Sequence, residues 1–142
     1  MSPTPADRKV VLDASAVVAW IFKETGYQVV ARALPVSVLP VPNAVEVLAR
    51  AAERGYMGSS EALLSDVQEM GVWIEDVTID DVVRASEILA ESRRLGLGKG
   101  WGVSLGDALC LAVAERLKLP AVGGDRAWND LTLNTSHRLF RR

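Results

Sequence analysis

Short apolar runs that alternate with helical periodicity leave this chain few architectures. "KVVL" (residues 9–12), "VSVLPV" (36–41) and "VWIEDVT" (72–78) read as buried strands, with "LPAV" (119–122) as a weaker fourth. Around them the apolar spacing predicts helices over 15–23, 26–34, 43–54, 59–70, 80–95 and 104–118, several opened by Ser, Asn or Asp at a capping position. Strands joined through helices run parallel, because each crossover carries the chain back to the same end of the sheet. The expectation is an α/β three-layer sandwich with a central, mostly parallel sheet of four to five strands flanked by helices, and with "SHRLF" (136–140) as an added edge strand. At 142 residues, 49% of them hydrophobic, the sequence is expected to form one domain over 1–142 around a substantial core.

Composition removes several function classes. No apolar run approaches the roughly 20 residues that cross a bilayer, and "MSPTPADRK" lacks an adjoining signal-peptide pattern, so a cytoplasmic protein without membrane contact is expected. Cys110 is the only cysteine, which excludes an internal disulfide and a multi-thiolate zinc site and makes it a core residue. A net charge of −2 gives no basic field for coating nucleic acid, although an enzyme that binds phosphates locally is still allowed. His137 stands alone, which argues against a two-histidine ribonuclease, and it reads as a solvated surface residue.

One segment imitates a nucleotide-binding loop. In "RRLGLGKGWGVS" (93–104), four glycines alternate, but the spacing fits neither the P-loop nor the dinucleotide pattern, and a helix precedes it. It reads as a flexible connection between two helices. As a substrate-contacting flap it would instead offer Arg93, Arg94 and Lys99 to phosphates and Trp101 as a stacking surface.

Four carboxylates occupy unexpected settings. In "VVLDASAVVAW", Asp13 ends the first strand, and ligands bind at the carboxyl ends of strands in an open parallel sheet; a helix N-cap by Asp13 or Ser15 is the alternative. Asp107 is the only charge in "SLGDALCLAVA", a helix apolar on nearly every side, where a carboxylate is costly unless it is paired, hydrogen-bonded or metal-bound; a capping box with Ser104 competes. Glu46 lies in the apolar setting of "NAVEVLARAAERG", with Arg50 four residues on as a possible surface partner. Asp125 follows the fourth strand candidate in "LPAVGGDRAW", where a cap is the alternative and the adjacent Arg126 is a candidate phosphate contact.

Two acids at strand ends and two early on apolar helices can converge at one sheet edge. Their repulsion would then call for a cation. An all-oxygen donor set favours Mg²⁺ or Mn²⁺, and such ions recruit phosphate oxygens. The chemistry implied is phosphodiester hydrolysis by a water activated at one ion, or at two spaced about 4 Å apart.

These segments, "VVLDASAVVAW", "PNAVEVLAR", "SLGDALCLAVAERLKLP" and "VGGDRAW", in that order over nearly the whole chain, resemble the PIN-domain ribonucleases, specifically the VapC-type toxins of bacterial toxin–antitoxin pairs. The resemblance implies Mg²⁺- or Mn²⁺-dependent cleavage of RNA, typically tRNA or rRNA, together with homodimerisation and inhibition by a cognate antitoxin. Carried over, Asp13 and Asp107 would be direct metal ligands and Ser15 would hold the first acid. Glu46 would orient a water or act as base, and Asp125 would bind directly or through water. Gly123 departs from the pattern, since many members carry Thr or Ser two positions before the last acid, and this weakens Asp125 as a tightly held ligand. Asn129 is a candidate polar neighbour, with a helix-surface position as the simpler reading.

Other readings remain at this level. A haloacid-dehalogenase-type phosphatase needs a second Asp where Ser15 stands, and a receiver domain needs an acidic pair after the first strand. The serious competitors are a non-catalytic interaction module with the same fold and a metal-dependent nuclease acting on DNA. A carboxylate-lined site is also a socket for an inhibitor's arginine, and apolar grooves around helices 26–34 and 43–70 are candidate antitoxin docking surfaces.

Overall fold

The structure, a computed structural model, describes residues 7–96 and 103–141. Five short strands are seen among the described residues: β1 (Val10–Leu12), β2 (Ser37–Pro40), β3 (Trp73–Glu75), β4 (Ala121–Gly123) and β5 (His137–Leu139). Helices α1 (Ala14–Ile21), α2 (Tyr27–Ala33), α3 (Val41–Glu53), α4 (Ser60–Glu69), α5 (Ile79–Arg94) and α6 (Leu105–Leu117) connect them. The sheet order is β3-β2-β1-β4-β5 and every pairing is parallel, so the sheet is wholly rather than mostly parallel. "SHRLF" supplies the β5 edge.

The near-continuous apolar run in β1 follows from burial on both faces. Val10 and Leu12 face a core shared with α1 to α4, where Val17, Val30, Val47 and Leu63 pack. Val11 faces the other core, with Val38, Ala121, Ala85, Ile88 and Leu111. Alternate residues of one short strand thus serve two layers of helices.

Element boundaries moved where proline intervened. Pro35 ends α2 early and a 3₁₀ turn, Leu34–Val36, follows; Pro42 fits the first turn of α3, which begins at Val41, ahead of the expected Asn43. A 3₁₀ turn over Arg126–Asp130 was not legible in the sequence.

The topology positions the site. From β1 the chain moves to one side for β2 and β3 and later to the other for β4, which opens a crevice at the carboxyl ends of β1 and β4. The amino end of α6 reaches the same edge. Its placement is fixed against α5 by Arg84 pairing with Glu115 at 2.6 Å and by Arg116 pairing with the buried Asp81 at 3.0 Å.

Candidate active site

Asp13 leaves β1 with its N–H donating to the Val122 carbonyl at 3.1 Å, which fixes it at the crevice beside β4. It is also the N-cap of α1. Its carboxylate, 3% exposed, accepts from the Ala16 N–H at 2.9 Å, and the Ser15 hydroxyl lies 2.8 Å from both of its oxygens. The cap alternative and the strand-end placement are therefore both realised. Burial above all pushes the Asp13 carboxyl up to about 7; the Ala16 N–H and Ser15 hydroxyl work against this, while the charges of Asp107 and Glu46 add to it.

Asp107 repeats the pattern at the start of α6. The Ser104 hydroxyl accepts from the Asp107 N–H at 3.1 Å, and Asp107 reaches back to the Ser104 N–H at 3.5 Å, completing a capping box. Burial again dominates a carboxyl pushed up to about 6, opposed by the Ser104 hydrogen bonds and reinforced by Asp125 and Glu46. Cys110, one turn further, is fully buried beneath these acids, and its thiol is driven well above the ordinary range by burial and by the charges of Asp13, Asp107 and Glu46.

Glu46 projects from α3 toward the start of α6: a Cβ added at Gly106 would stand 2.6 Å from its Oε1. Its other oxygen pairs with Arg50 at 2.5 Å, the local partner anticipated from the i,i+4 spacing. Asn43, which the sequence reading missed, ties α3 to α6 by donating from Nδ2 to the Gly106 carbonyl at 3.1 Å. Its buried Oδ1 has no hydrogen-bond partner. The signal available was a polar residue in the first turn of an apolar helix. Asp125 caps the 3₁₀ turn through the Ala127 N–H at 2.9 Å while raising the Asp107 carboxyl through its charge.

Asp13, Glu46 and Asp107 thus sit within electrostatic reach of one another and Asp125 within reach of Asp107, each also tied to a local partner. Among the described residues, no three His, Cys, Asp or Glu side chains are gathered closely enough to hold one ion between them. An octahedral Mg²⁺ needs only one or two carboxylates beside its waters and a phosphate, so the oxygen-only donors and mutually repelling buried acids still fit such an ion.

Gly123 has a structural explanation. A Cβ there would come 2.3 Å from the Trp128 ring and 2.8 Å from Asp13 Oδ2, so the indole fills the place of any side chain and helps keep water from Asp13. Trp128 is fully buried, and its Nε1 has no hydrogen-bond partner.

The remaining sequence candidates scatter. Arg126 is exposed at the start of the 3₁₀ turn; Arg93 and Arg94 end α5, with Arg94 3.7 Å from Glu91. Lys99 and Trp101, with the rest of residues 97–102, lie outside the described residues. His137 is not simply solvated: it is half-buried in β5, its Nε2 lies 2.7 Å from Asn129 Oδ1, and its ring meets Trp128 edge-on. Asn129 is exposed on the 3₁₀ turn and engages His137.

The fold is one of known kind. The fold matches a VapBC complex bound to DNA from Salmonella typhimurium (TM-score 0.70, 14% identity, 94% of this chain and 98% of that one). It also matches VapC20 of Mycobacterium tuberculosis, a sarcin–ricin-loop-cleaving toxin (0.64, 17%, 90% and 99%), and a toxin–antitoxin complex from Klebsiella pneumoniae (0.58, 16%, 80% and 84%). None of the curated proteins matches the chain. The family model of the PIN domain matches residues 10–132, from the first strand through the turn that carries Asp125 and Trp128, and with the fold in agreement the chain belongs to the PIN-domain family.

Proposed function

We propose that the chain is a toxin of the VapC type, a Mg²⁺- or Mn²⁺-dependent endoribonuclease that hydrolyses phosphodiester bonds of RNA, with tRNA or rRNA as targets. The carrying observation is the pair Asp13 and Asp107, brought from distant parts of the chain to one crevice where burial disfavours both as carboxylates and the charge of Asp107 adds to this at Asp13. Burying two like charges side by side is unfavourable unless a cation is drawn in. Asp13 and Asp107 would hold the ion, with Asp125 binding directly or through water. When bound, the ion supplies Lewis acidity for the phosphodiester and lowers the pKa of a water.

The chain's own groups prepare the site. The Ser15 hydroxyl and Ala16 N–H orient Asp13, Ser104 orients Asp107, and Glu46 is placed to accept a proton once released from Arg50. Trp128 and Cys110 supply apolar walls that strengthen every charge interaction between them.

The VapBC and toxin–antitoxin neighbours support an antitoxin partner, whose arginine would fit the carboxylate socket and displace metal. The surfaces of α2, α3 and α4 are the proposed docking faces, and the working form is a homodimer in the cytoplasm. Among the described residues no helix is long and apolar enough to cross a membrane.

The test is digestion of total RNA and, in parallel, DNA by purified protein with Mn²⁺, Mg²⁺ or chelator. RNA cleavage lost in Asp107→Asn supports the reading; unchanged cleavage in that variant refutes the catalytic assignment, and cleavage of DNA alone refutes the substrate. A stable complex with the product of the adjoining reading frame tests the antitoxin.

A further inference from the structure

RNA approaching this site meets a chain of net charge −2 and a rim of carboxylates, so a cationic side chain beside the proposed metal site favours binding. Arg141 offers such a group at the end of β4. A Cβ built on Gly124 would lie 2.6 Å from its Nη2, 2.8 Å from its Nε and 2.9 Å from its Cζ, so the guanidinium rests on a bare backbone seat. The same group stacks on the Phe140 ring, 5.1 Å from its centroid. Phe140 is buried, and its N–H donates to the Gly123 carbonyl at 3.2 Å, which anchors the arginine's own segment to the end of β4. No carboxylate among the described residues pairs with Arg141, in contrast to Arg50, Arg54, Arg84, Arg94 and Arg116.

Gly123 and Gly124 are the key to its role. The space beside Gly123 belongs to Trp128 and Asp13 Oδ2, while the space beside Gly124 belongs to the guanidinium. Successive residues at a strand end point to opposite sides, so Arg141 stands across the end of β4 from Asp13. The Phe140 ring and the bare backbone of Gly124 lie against the guanidinium, and its N–H donors, in the plane of the group, can reach an anion. We propose that Arg141, seated on Gly124, binds a backbone phosphate flanking the one cut at Asp13 and Asp107, and so sets the register of the RNA strand in the crevice. The inference rests on the ribonuclease reading.

The experiment measures KM and kcat for Mn²⁺-dependent cleavage of an RNA first identified by digesting total RNA, at several salt concentrations. The variants are Arg141→Ala, Arg141→Lys and Gly124→Ala. Gly124 needs no left-handed backbone, and the nearest atoms to its added Cβ all belong to a flexible side chain, so this variant evicts the guanidinium and keeps the charge. Arg141→Ala and Gly124→Ala are each expected to raise KM roughly fivefold, the loss of one charge-assisted hydrogen-bond contact at an exposed site, with kcat within twofold. In Arg141→Ala the slope of log KM on log salt falls by about 0.7, one phosphate on a single strand, and Arg141→Lys recovers part of the affinity. A parent protein that cleaves RNA while Arg141→Ala keeps its KM and salt slope, or loses only kcat, overturns the inference alone. A parent protein that cleaves no RNA overturns both readings.

Discussion

Asp13 offers the sharpest test, because the same carboxylate lowers stability without a cation and, under the proposed function, would hold the metal. Its carboxyl titrates near 7 in the folded protein against 3.8 ordinarily. The folded state therefore holds a proton that the unfolded state has released between those values, so stability falls as pH rises from about 4 to 7. At 1.36 kcal/mol per pH unit the full loss is about 4 kcal/mol, an upper bound because a small local opening can readmit water. Asp13→Asn keeps an oxygen to accept from Ala16 and removes the charge. In urea unfolding with chelator at fixed protein concentration, the variant should be more stable than the parent at pH 8 by about 2–4 kcal/mol, and no more stable than the parent at pH 4. Adding Mn²⁺ at about 100 times its dissociation constant should return about 2.7 kcal/mol to the parent and nothing to the variant. A parent whose stability in chelator rises from pH 5 to 8, with Asp13→Asn weaker at every pH, would refute the reasoning.

Three further outcomes are expected. Gly123→Ala forces a methyl against the Trp128 ring at 2.3 Å and should destabilise the fold by about 1–3 kcal/mol in urea unfolding, whereas a neutral result would mean that the indole is loosely held. Arg50→Ala frees Glu46 from its 2.5 Å partner, and because that pair is surface-exposed, Mn²⁺ affinity by calorimetry should rise only about twofold; a fall would show that Arg50 helps the site. Asp81→Ala leaves Arg116 without its buried partner and removes the Thr78 capping box, so a loss of about 2–4 kcal/mol is expected, and a loss below about 1 would refute the pinning of α5 to α6.

Much of the fold was legible because period and burial agree. Apolar runs bounded by turns gave four strands, and the helices followed their caps: Ser59, Thr78 and Ser104 each accept a backbone N–H where a helix begins. Proline shifted two boundaries by local rules that pattern reading weighs too lightly. The acids were legible as anomalies, charges where apolar residues or simple caps were expected. The local explanation for each proved real as well, since Asp13, Asp107 and Asp125 do cap and Glu46 does pair with Arg50.

By itself the sequence determined that the strands would be apolar runs, which residues would begin several helices, and that a carboxylate would end the first strand, because these depend on neighbours a few positions away. Tertiary structure alone decided that Trp128 fills the space beside Gly123, that Asn43 ties α3 to α6, and that Arg141 lies on Gly124. Those contacts join residues remote in the chain through the order of strands in the sheet, and no local period encodes that order. Burial then turned ordinary capping aspartates into carboxyls that hold their protons more tightly: desolvation, the largest influence on both Asp13 and Asp107, exists only once two layers of helices close over the sheet.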